Sequence, residues 1–447
     1  MNGLSGLLAV LAVSALGAQP SAARALPRLL AGVASADSLT ESFTVSGVPV
    51  ILRRTRANDV VAANLYLLGG TRQAPLALAG LEPFLLVASE RGTRSYPRDV
   101  LRAKMAHLGT TIGVEPERDW TVFGLRSTVE ALDSTWAIFA DRVTRPLIDS
   151  SSVEFVRAQM LSAVRQRRDS PDARLDELAD SVAFWGHSYG IEPDGSERSL
   201  AAISLADLRK YQADQMVTSR MLLVVVGNVT RDRVERLVRV SIGKLPAGTY
   251  KWTLPDTLPT RRSEIVVEAR TLPTNYILGY YNGPVASSRD AAALRVASAV
   301  LSGRLFSEIR SKRNLTYAVN APFVDRALTS GGLYVTTVDP EQTLSIMRDE
   351  IKQLQQEQLD QSGLERLIQQ FITEYFLDNE TNAAQASFLA RAQLYRGDWH
   401  AANSFVDELR AVTPADVQRA ARQYMKGIRF AYIGDPEKVK RVMGSKF

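Results

Sequence analysis

The chain has 447 residues, of which 45% are hydrophobic and 23% charged, and its formal net charge is +6. This length is too great for one ordinary domain and suits two domains of roughly 200 residues each. The absence of cysteine excludes disulfides, thiol nucleophiles and thiolate metal sites. The arginines are scattered and no nucleic-acid-binding signature occurs, so the basic charge indicates a solvated surface or attraction to acidic peptides or anionic membranes.

The N-terminus predicts export. An apolar run from Leu4 to Ala18 is too short to span a bilayer comfortably, and small-x-small cleavage patterns follow at residues 23–25 and 34–36. We therefore predict a signal peptide and leader over residues 1–36 and a periplasmic or otherwise exported protein. The alternative is a disordered or buried apolar N-terminus. No later segment predicts a membrane helix.

Four patterns organise the first half. The alternation from Glu41 to Arg54 predicts a hairpin, and Val60 to Leu68 predicts a buried strand. Leu81 to Ser89 predicts a helix. Met221 to Val226 predicts a strand that is buried on both faces and is closed by Gly227.

The second half repeats this order. A proline-containing stretch from Thr253 to Pro259 predicts a linker, after which Tyr276 to Tyr281 predicts a strand and Asp290 to Leu301 a helix. Ser204-Leu-Ala-Asp-Leu recurs as Thr413-Pro-Ala-Asp-Val, and each pattern indicates an N-capped helix start.

A strand that ends in glycine follows each of these helix starts, at Gly227 and at Gly434. The two copies lie about 208 residues apart, which indicates a duplicated domain. We predict an N-terminal domain over 37–250, a linker over 251–262 and a C-terminal domain over 263–447. The expected fold class is α+β, with two homologous α/β sandwiches, each a mostly antiparallel sheet with helices on one face.

The segment from Gly80 to Thr93, GLEPFLLVASERGT, resembles the active-site helix of the pitrilysin/insulinase family of zinc peptidases. The family pattern is roughly Gly-x-Ala-His-Phe-Leu-Glu-His, four residues, then Gly-Thr. The glycine at Gly80, the Phe84-Leu85 pair and the closing Gly92-Thr93 match in register. The resemblance covers nearly the whole chain after the leader and implies half of a clamshell peptidase.

The chemical positions of that family do not match. The first zinc histidine falls on Pro83, the catalytic glutamate on Leu86, the second histidine on Val87 and the distant third ligand on Ala163. In the inverted zincin motif two histidines one turn apart hold zinc, and the glutamate takes a proton from zinc-bound water. Proline, leucine, valine and alanine can do neither. The resemblance therefore implies no catalytic site and no metal in this chain.

The three histidines do not offer another metal site. His107, His187 and His400 are far apart in the sequence, and no two of them have ligand spacing. His187 lies in Gly-His-Ser-Tyr-Gly, which resembles the His-Pro-Tyr-Gly structural turn of the family. We expect a structural role for His187 and ordinary surface or packing roles for the other two.

The second half keeps a different family motif. The segment from Ser302 to Tyr317 resembles Ser-Arg-Leu-Phe, then Arg, then Gly-Leu-x-Tyr, with Arg310 and Tyr317 at the matching positions. In the family these two residues reach across the chamber to the substrate backbone, and they offer charged and neutral donors to a carbonyl or oxyanion. Asn314 replaces the usual glycine and also tolerates a left-handed conformation. The alternative is an exposed helix arginine and a packed tyrosine.

The resemblance implies a non-catalytic, half-length subunit of an exported zinc metallopeptidase. A zinc-bearing paralogue would carry the metal and the base, and unfolded peptides would be the substrates. The first alternative is a catalytically inert scaffold or peptide-binding protein, in which Arg310 and Tyr317 are incidental. The second is a self-sufficient hydrolase with other chemistry, which the absence of cysteine and the scattered histidines disfavour.

Overall fold

A computed structural model describes residues 39–258 and 261–447. The predicted signal peptide and leader, residues 1–36, lie outside this part of the chain. None of the described helices combines the length and the apolar composition that crossing a membrane requires.

The first half forms one six-stranded sheet. Its strands are β1 (Thr40–Val45), β2 (Val48–Arg54), β3 (Val60–Leu68), β4 (Thr111–Pro116), β5 (Trp120–Thr128) and β6 (Met221–Gly227), in the order β1-β2-β6-β3-β5-β4. All neighbours are antiparallel except β2 and β6, which run parallel. The predicted hairpin and the two predicted buried strands are confirmed.

Eight helices accompany this sheet: α1 (Leu81–Ala88), α2 (Arg98–Leu108), α3 (Leu132–Thr144), α4 (Ser150–Asp169), α5 (Pro171–Ala183), α6 (Glu197–Ala202), α7 (Leu205–Gln215) and α8 (Arg231–Arg239). Seven of them, all but α5, cover one sheet face and enclose an apolar core with side chains of every strand. The predicted helix at residues 81–89 is therefore α1, and Ser89 already begins a short 3₁₀ turn.

The second half forms a second six-stranded sheet. Its strands are β7 (Glu264–Ala269), β8 (Asn275–Val285), β9 (Val319–Asn320), β10 (Phe323–Val324), β11 (Leu328–Thr337) and β12 (Arg429–Gly434). The order is β10-β11-β8-β12-β7, β9 also pairs with β11, and only β7 and β12 are parallel.

The helices of the second half are α9 (Asp290–Leu305), α10 (Pro340–Gln356), α11 (Gln361–Asp378), α12 (Asn382–Arg396), α13 (Phe405–Arg410), α14 (Pro414–Tyr424) and α15 (Arg441–Gly444). A π-helical segment, Phe306–Ser311, continues α9. The predicted strand at 276–281 and helix at 290–301 are both present and extend several residues further.

The two halves share one topology, which confirms the expected α+β class. In each half the last strand lies between a parallel partner (β2 or β7) and an antiparallel one (β3 or β8). Capping boxes begin α7, at Ser204, and α14, at Thr413. Gly227 and Gly434 end the last strands at φ 152° and 156°. A Cβ at Gly227 would lie 2.9 Å from the carbonyl oxygen of Val60, so the close approach of two strands requires glycine there.

The halves exchange one helix each. Helix α12 of the second half packs its alanines and leucines on the outer face of the first sheet, against side chains such as Tyr66, Trp120 and Val224. Helix α5 of the first half packs Leu175 and Ala179 on the outer face of the second sheet. Each sheet is thus covered on one face by helices of its own half and on the other by a helix of the opposite half.

A buried carboxylate joins the halves. Asp119 is 2% exposed, and its Oδ2 accepts hydrogen bonds from the hydroxyl groups of Tyr189, at 2.8 Å, and Tyr395, at 3.0 Å. Burial, and next the charge of Asp119, raise the pKa of Tyr395. Because Tyr395 comes from α12, this bond fixes the exchanged helix on the first sheet.

Candidate functional site

Helix α1 is the element that corresponds to the zinc-binding helix of the resemblance. Gly80 precedes it in the left-handed conformation, at φ 89°, where a Cβ would lie 2.6 Å from the carbonyl oxygen of Asp194. Pro83 lies in the first turn of α1. Backbone N–H groups in a first turn have no acceptor within the helix, so proline there costs no helical hydrogen bond. The first helical hydrogen bond runs from Phe84 N–H to the carbonyl of Gly80, at 2.9 Å.

The four positions of the zinc chemistry occupy three different environments. Pro83 is buried, and Leu86 is part of the core at 2% exposure. Val87 is half-buried at the surface of α1, and Ala163 is exposed on α4. Alkyl side chains offer no lone pair to a metal. The described residues also contain no group of three or more His, Asp or Glu side chains that could hold one. The site does not fit zinc.

A buried ion pair holds the start of α1. Glu82 Oε2 accepts hydrogen bonds from Arg220 Nη2, at 2.9 Å, and from the hydroxyl of Tyr211, at 2.9 Å. The two charged side chains are 5% and 1% exposed. The Nη2 of Arg220 also donates to the carbonyl of Leu68, at 2.8 Å. Strand β3, helix α1 and helix α7 are therefore tied together by one guanidinium.

A second buried arginine holds the end of α1. Arg142 is 1% exposed, and its Nη2 donates to the carbonyl of Leu86, at 3.2 Å, and to Glu90 Oε1, at 3.1 Å. Burial lowers the pKa of Arg142, and Glu90 opposes that effect. The ends of α1 are thus fixed by polar contacts with residues that the sequence analysis did not single out.

The histidines make local contacts. Nδ1 of His187 accepts a hydrogen bond from the backbone N–H of Tyr189, at 3.1 Å, and Nε2 lies 3.1 Å from the carbonyl oxygen of Asp256. Burial lowers the pKa of His187. His400 stacks on Trp399, with ring centroids 3.6 Å apart. These contacts fit the structural turn that we expect at His187.

Arg310 and Tyr317 come together at the surface. The guanidinium carbon of Arg310 lies 4.9 Å from the ring centroid of Tyr317 and 5.0 Å from that of Phe306. Tyr317 is 82% exposed, so the packed-tyrosine alternative is wrong. Between them Asn314 adopts φ 52°, the left-handed conformation expected for the residue that replaces glycine.

The backbone around this pair is irregular. Arg310 lies in the π-helical segment, and wider turns of this kind recur at functional sites. The N–H of Asn314 donates to the carbonyl of Arg310, and that of Leu315 to the carbonyl of Ile309, both at 3.0 Å. These bonds end the helix and turn the chain back, so that Tyr317 lies beside the arginine.

One further feature was missed by the sequence analysis. A cleft of about 490 Å³ lies between α1, α2 and α4. We call it the arginine cleft, and its walls include Val87, Arg91, Arg98, Arg102, Phe155 and Gln159. The signal in the sequence was a run of four arginines within twelve residues, at positions 91, 94, 98 and 102, the last two of them one helical turn apart.

Comparison with known families gives two matches along the chain. Residues 49–192 match the insulinase (peptidase family M16) model, and residues 202–371 match the peptidase M16 inactive domain model. An uncharacterized zinc protease of Streptomyces coelicolor is 23% identical over 372 residues, which are 80% of each chain. The β subunit of the mitochondrial processing peptidase of Blastocladiella emersonii is 23% identical over 256 residues, 57% of this chain and 55% of that subunit.

Among solved structures, the peptidase M16 inactive domain from Pseudomonas fluorescens superposes with a TM-score of 0.80 at 19% identity. It covers 89% of this chain, and the match spans 98% of that structure. The likeness shows that the fold is shared. The chain belongs to peptidase family M16, the pitrilysin/insulinase family, as a non-catalytic member without the H-x-x-E-H motif.

Proposed function

We propose that this protein is the non-catalytic subunit of an exported zinc metallopeptidase, and that it pairs with a zinc-bearing paralogue to close a peptide-degrading or processing chamber. The paralogue supplies the zinc and the catalytic base. This chain supplies one wall of the chamber, together with Arg310 and Tyr317 as donors to the backbone of an unfolded peptide.

The observation that carries the proposal is the exposed pair itself. Tyr317 is the most exposed large apolar side chain of the described residues, and the guanidinium of Arg310 lies over its ring. Within residues 39–258 and 261–447 neither side chain forms an ion pair or hydrogen bond. No carboxylate among the described residues pairs with Arg310, so its donors remain available to a ligand.

The relatives support the pairing. Proteins similar to this chain are named as zinc proteases and as one subunit of a mitochondrial processing peptidase, which is by its name an assembly of subunits. A chain whose own metal positions are alkyl side chains gains a role in peptide hydrolysis through such an assembly.

The test is reconstitution with a paralogue that carries an intact H-x-x-E-H motif. The complex should cleave an unstructured fluorogenic peptide, and Arg310→Ala should lower kcat/KM by about a hundredfold because one transition-state donor is lost. Tyr317→Phe should lower it by a smaller factor. Arg289→Ala, an exposed arginine at the start of α9, is the matched control and should leave kcat/KM unchanged.

Two results decide against the proposal. Unchanged hydrolysis in both Arg310→Ala and Tyr317→Phe complexes would show an inert scaffold. Cleavage of the peptide by this chain alone, in the presence of a chelator, would show a hydrolase with other chemistry.

A further inference from the structure

The arginine cleft carries positive charge that the described residues leave unbalanced. Arg91 faces it from the short 3₁₀ turn that follows α1, Arg98 faces it from α2, and Arg102 follows one turn further along α2. None of the three forms an ion pair with a carboxylate in the described part of the chain. The one carboxylate in the cleft wall, Glu90, is paired with the buried Arg142 at 3.1 Å.

Repulsion between the arginines of the cleft destabilises the local structure. Arg98 and Arg102 are four residues apart on one helix face, a spacing at which like charges destabilise a helix. Burial, and after it the charge of Arg98, lower the pKa of Arg91; Arg102 acts in the same direction, whereas Asp149 and Asp99 oppose it. An anion in the cleft would offset this repulsion.

The cleft also has a rigid platform. The guanidinium carbon of Arg91 lies 3.9 Å from the ring centroid of Phe155, and that of Arg98 lies 5.8 Å from it. Phe155 stands on α4 and is 43% exposed. Stacking on an aromatic face fixes the plane of a guanidinium and leaves its edge free to donate. The Nε of Arg91 is buried and has no hydrogen-bond partner among the described residues.

We propose that the arginine cleft binds an oxyanion, and that its carrier is the carboxylate side chain of an acidic peptide. Guanidinium groups bind carboxylates through two parallel hydrogen bonds, and three such groups line the cleft. Its apolar walls, which include Val87 and Met105, suit the methylene groups of a glutamate.

The position of the cleft links it to the peptide chamber. Val87, which lines the cleft, stands at the position of the second zinc histidine in active members of the family. A peptide that passes along α1 therefore passes the cleft mouth, and acidic residues in it are selected there. The choice of a peptide as carrier rests on the proposed function, whereas the binding itself requires only this chain.

The test uses the isolated chain and two blocked peptides of equal length, a Gly-Glu repeat and a Gly-Gln repeat, in isothermal titration calorimetry at low ionic strength. The Gly-Glu peptide should bind and the Gly-Gln peptide should not. Arg98→Gln/Arg102→Gln should weaken binding by tenfold or more. Arg198→Gln/Arg289→Gln removes the same charge from exposed residues elsewhere and should leave the affinity within twofold.

A thermal melt checks that the cleft variant folds, and its unfolding temperature should equal or exceed that of the unaltered chain because the repulsion on α2 is removed. If both double variants lost the same affinity for the Gly-Glu peptide, binding would depend on net charge alone, and the proposed site would be overturned. Binding of inorganic phosphate without binding of the Gly-Glu peptide would overturn the peptide carrier. None of these measurements requires a paralogue. The proposed function and the binding of an acidic peptide in the cleft can therefore fail separately.

Discussion

Nη2 of Arg220 lies 2.9 Å from Oε2 of Glu82, and both side chains are almost fully buried. Glu82 is the neighbour of Pro83, the position of the first zinc histidine in active relatives. The polar contact at this end of α1 is therefore structural. Together with Arg142 at the other end, it fixes the helix without any metal.

The loss of this ion pair should be costly. Arg220→Met leaves the buried carboxylate of Glu82 unpaired, which costs about 3–5 kcal/mol of the free energy of unfolding. Chemical denaturation measures it. Arg198→Met, at an exposed site, should change stability by less than about 0.5 kcal/mol. A small effect of Arg220→Met would contradict the anchoring role.

The coupling of the pair can be measured in the same way. Glu82→Leu/Arg220→Met should lose less stability than the sum of the two single variants, because the double variant leaves no unpaired buried charge. Strict additivity would show that the two side chains act independently.

Zinc should not bind this chain stoichiometrically. Pro83, Val87 and Ala163 stand where the ligands of active relatives lie, and none has a donor atom. Metal analysis after incubation with zinc and gel filtration should find far less than one zinc per chain, and a chelator should leave the unfolding temperature unchanged. A paralogue with the intact motif is the positive control. One tightly held zinc per chain would refute this prediction.

Arg310 and Tyr317 should matter little for folding. Tyr317 is 82% exposed, and its contact with Arg310 is a surface cation–π contact. Arg310→Ala and Tyr317→Phe should each change the free energy of unfolding by less than about 1 kcal/mol. Thermal and chemical unfolding of the isolated chain check this. A large loss of stability would assign the pair a structural role.

Stability should depend on pH through Asp176 on α5. Burial, then the charges of Asp180 and Asp172 one turn away, raise the pKa of Asp176 to about 6. Since the folded state holds the proton more tightly than the unfolded chain, this stabilisation is complete below about pH 4 and is lost as the pH rises through 6.

Asp176→Asn should therefore increase the free energy of unfolding more at pH 7.5, where the carboxylate is charged, than at pH 4, where it is protonated. Asp176 is exposed, and solvent screening therefore limits the gain to less than about 1 kcal/mol. Urea unfolding of both proteins at the two pH values measures the difference. A pH-independent difference would contradict the raised pKa.

The sequence predicted the strands, the duplicated topology and the α+β class because these depend on local patterns. The run from Met221 to Val226 has no polar residue, and the caps at Ser204 and Thr413 mark helix starts directly. The left-handed conformation of Asn314 followed from its position in a motif. The division into domains at residues 250 and 263 and the signal peptide stay predictions.

The sequence could not predict which sheet a helix covers. Helices α5 and α12 have apolar faces, but a periodic pattern predicts only that one face of a helix is buried and not which sheet it packs against. Nor could it predict that Arg142 and Arg220 are buried, since arginine is almost always exposed unless paired. The arginine cleft needs α1, α2 and α4 side by side, which only the fold provides.

The exchange of helices sets the order in which the protein can be made. Nδ2 of Asn382, at the start of α12, donates to the carbonyl of Val60 at 2.6 Å, across 322 residues of chain. During translation the outer face of the first sheet therefore stays uncovered until α12, Asn382–Arg396, has been synthesised. Because loop closure over such a distance is slow, the apolar strands of the nascent chain stay exposed to misfolding and aggregation until α12 packs on them.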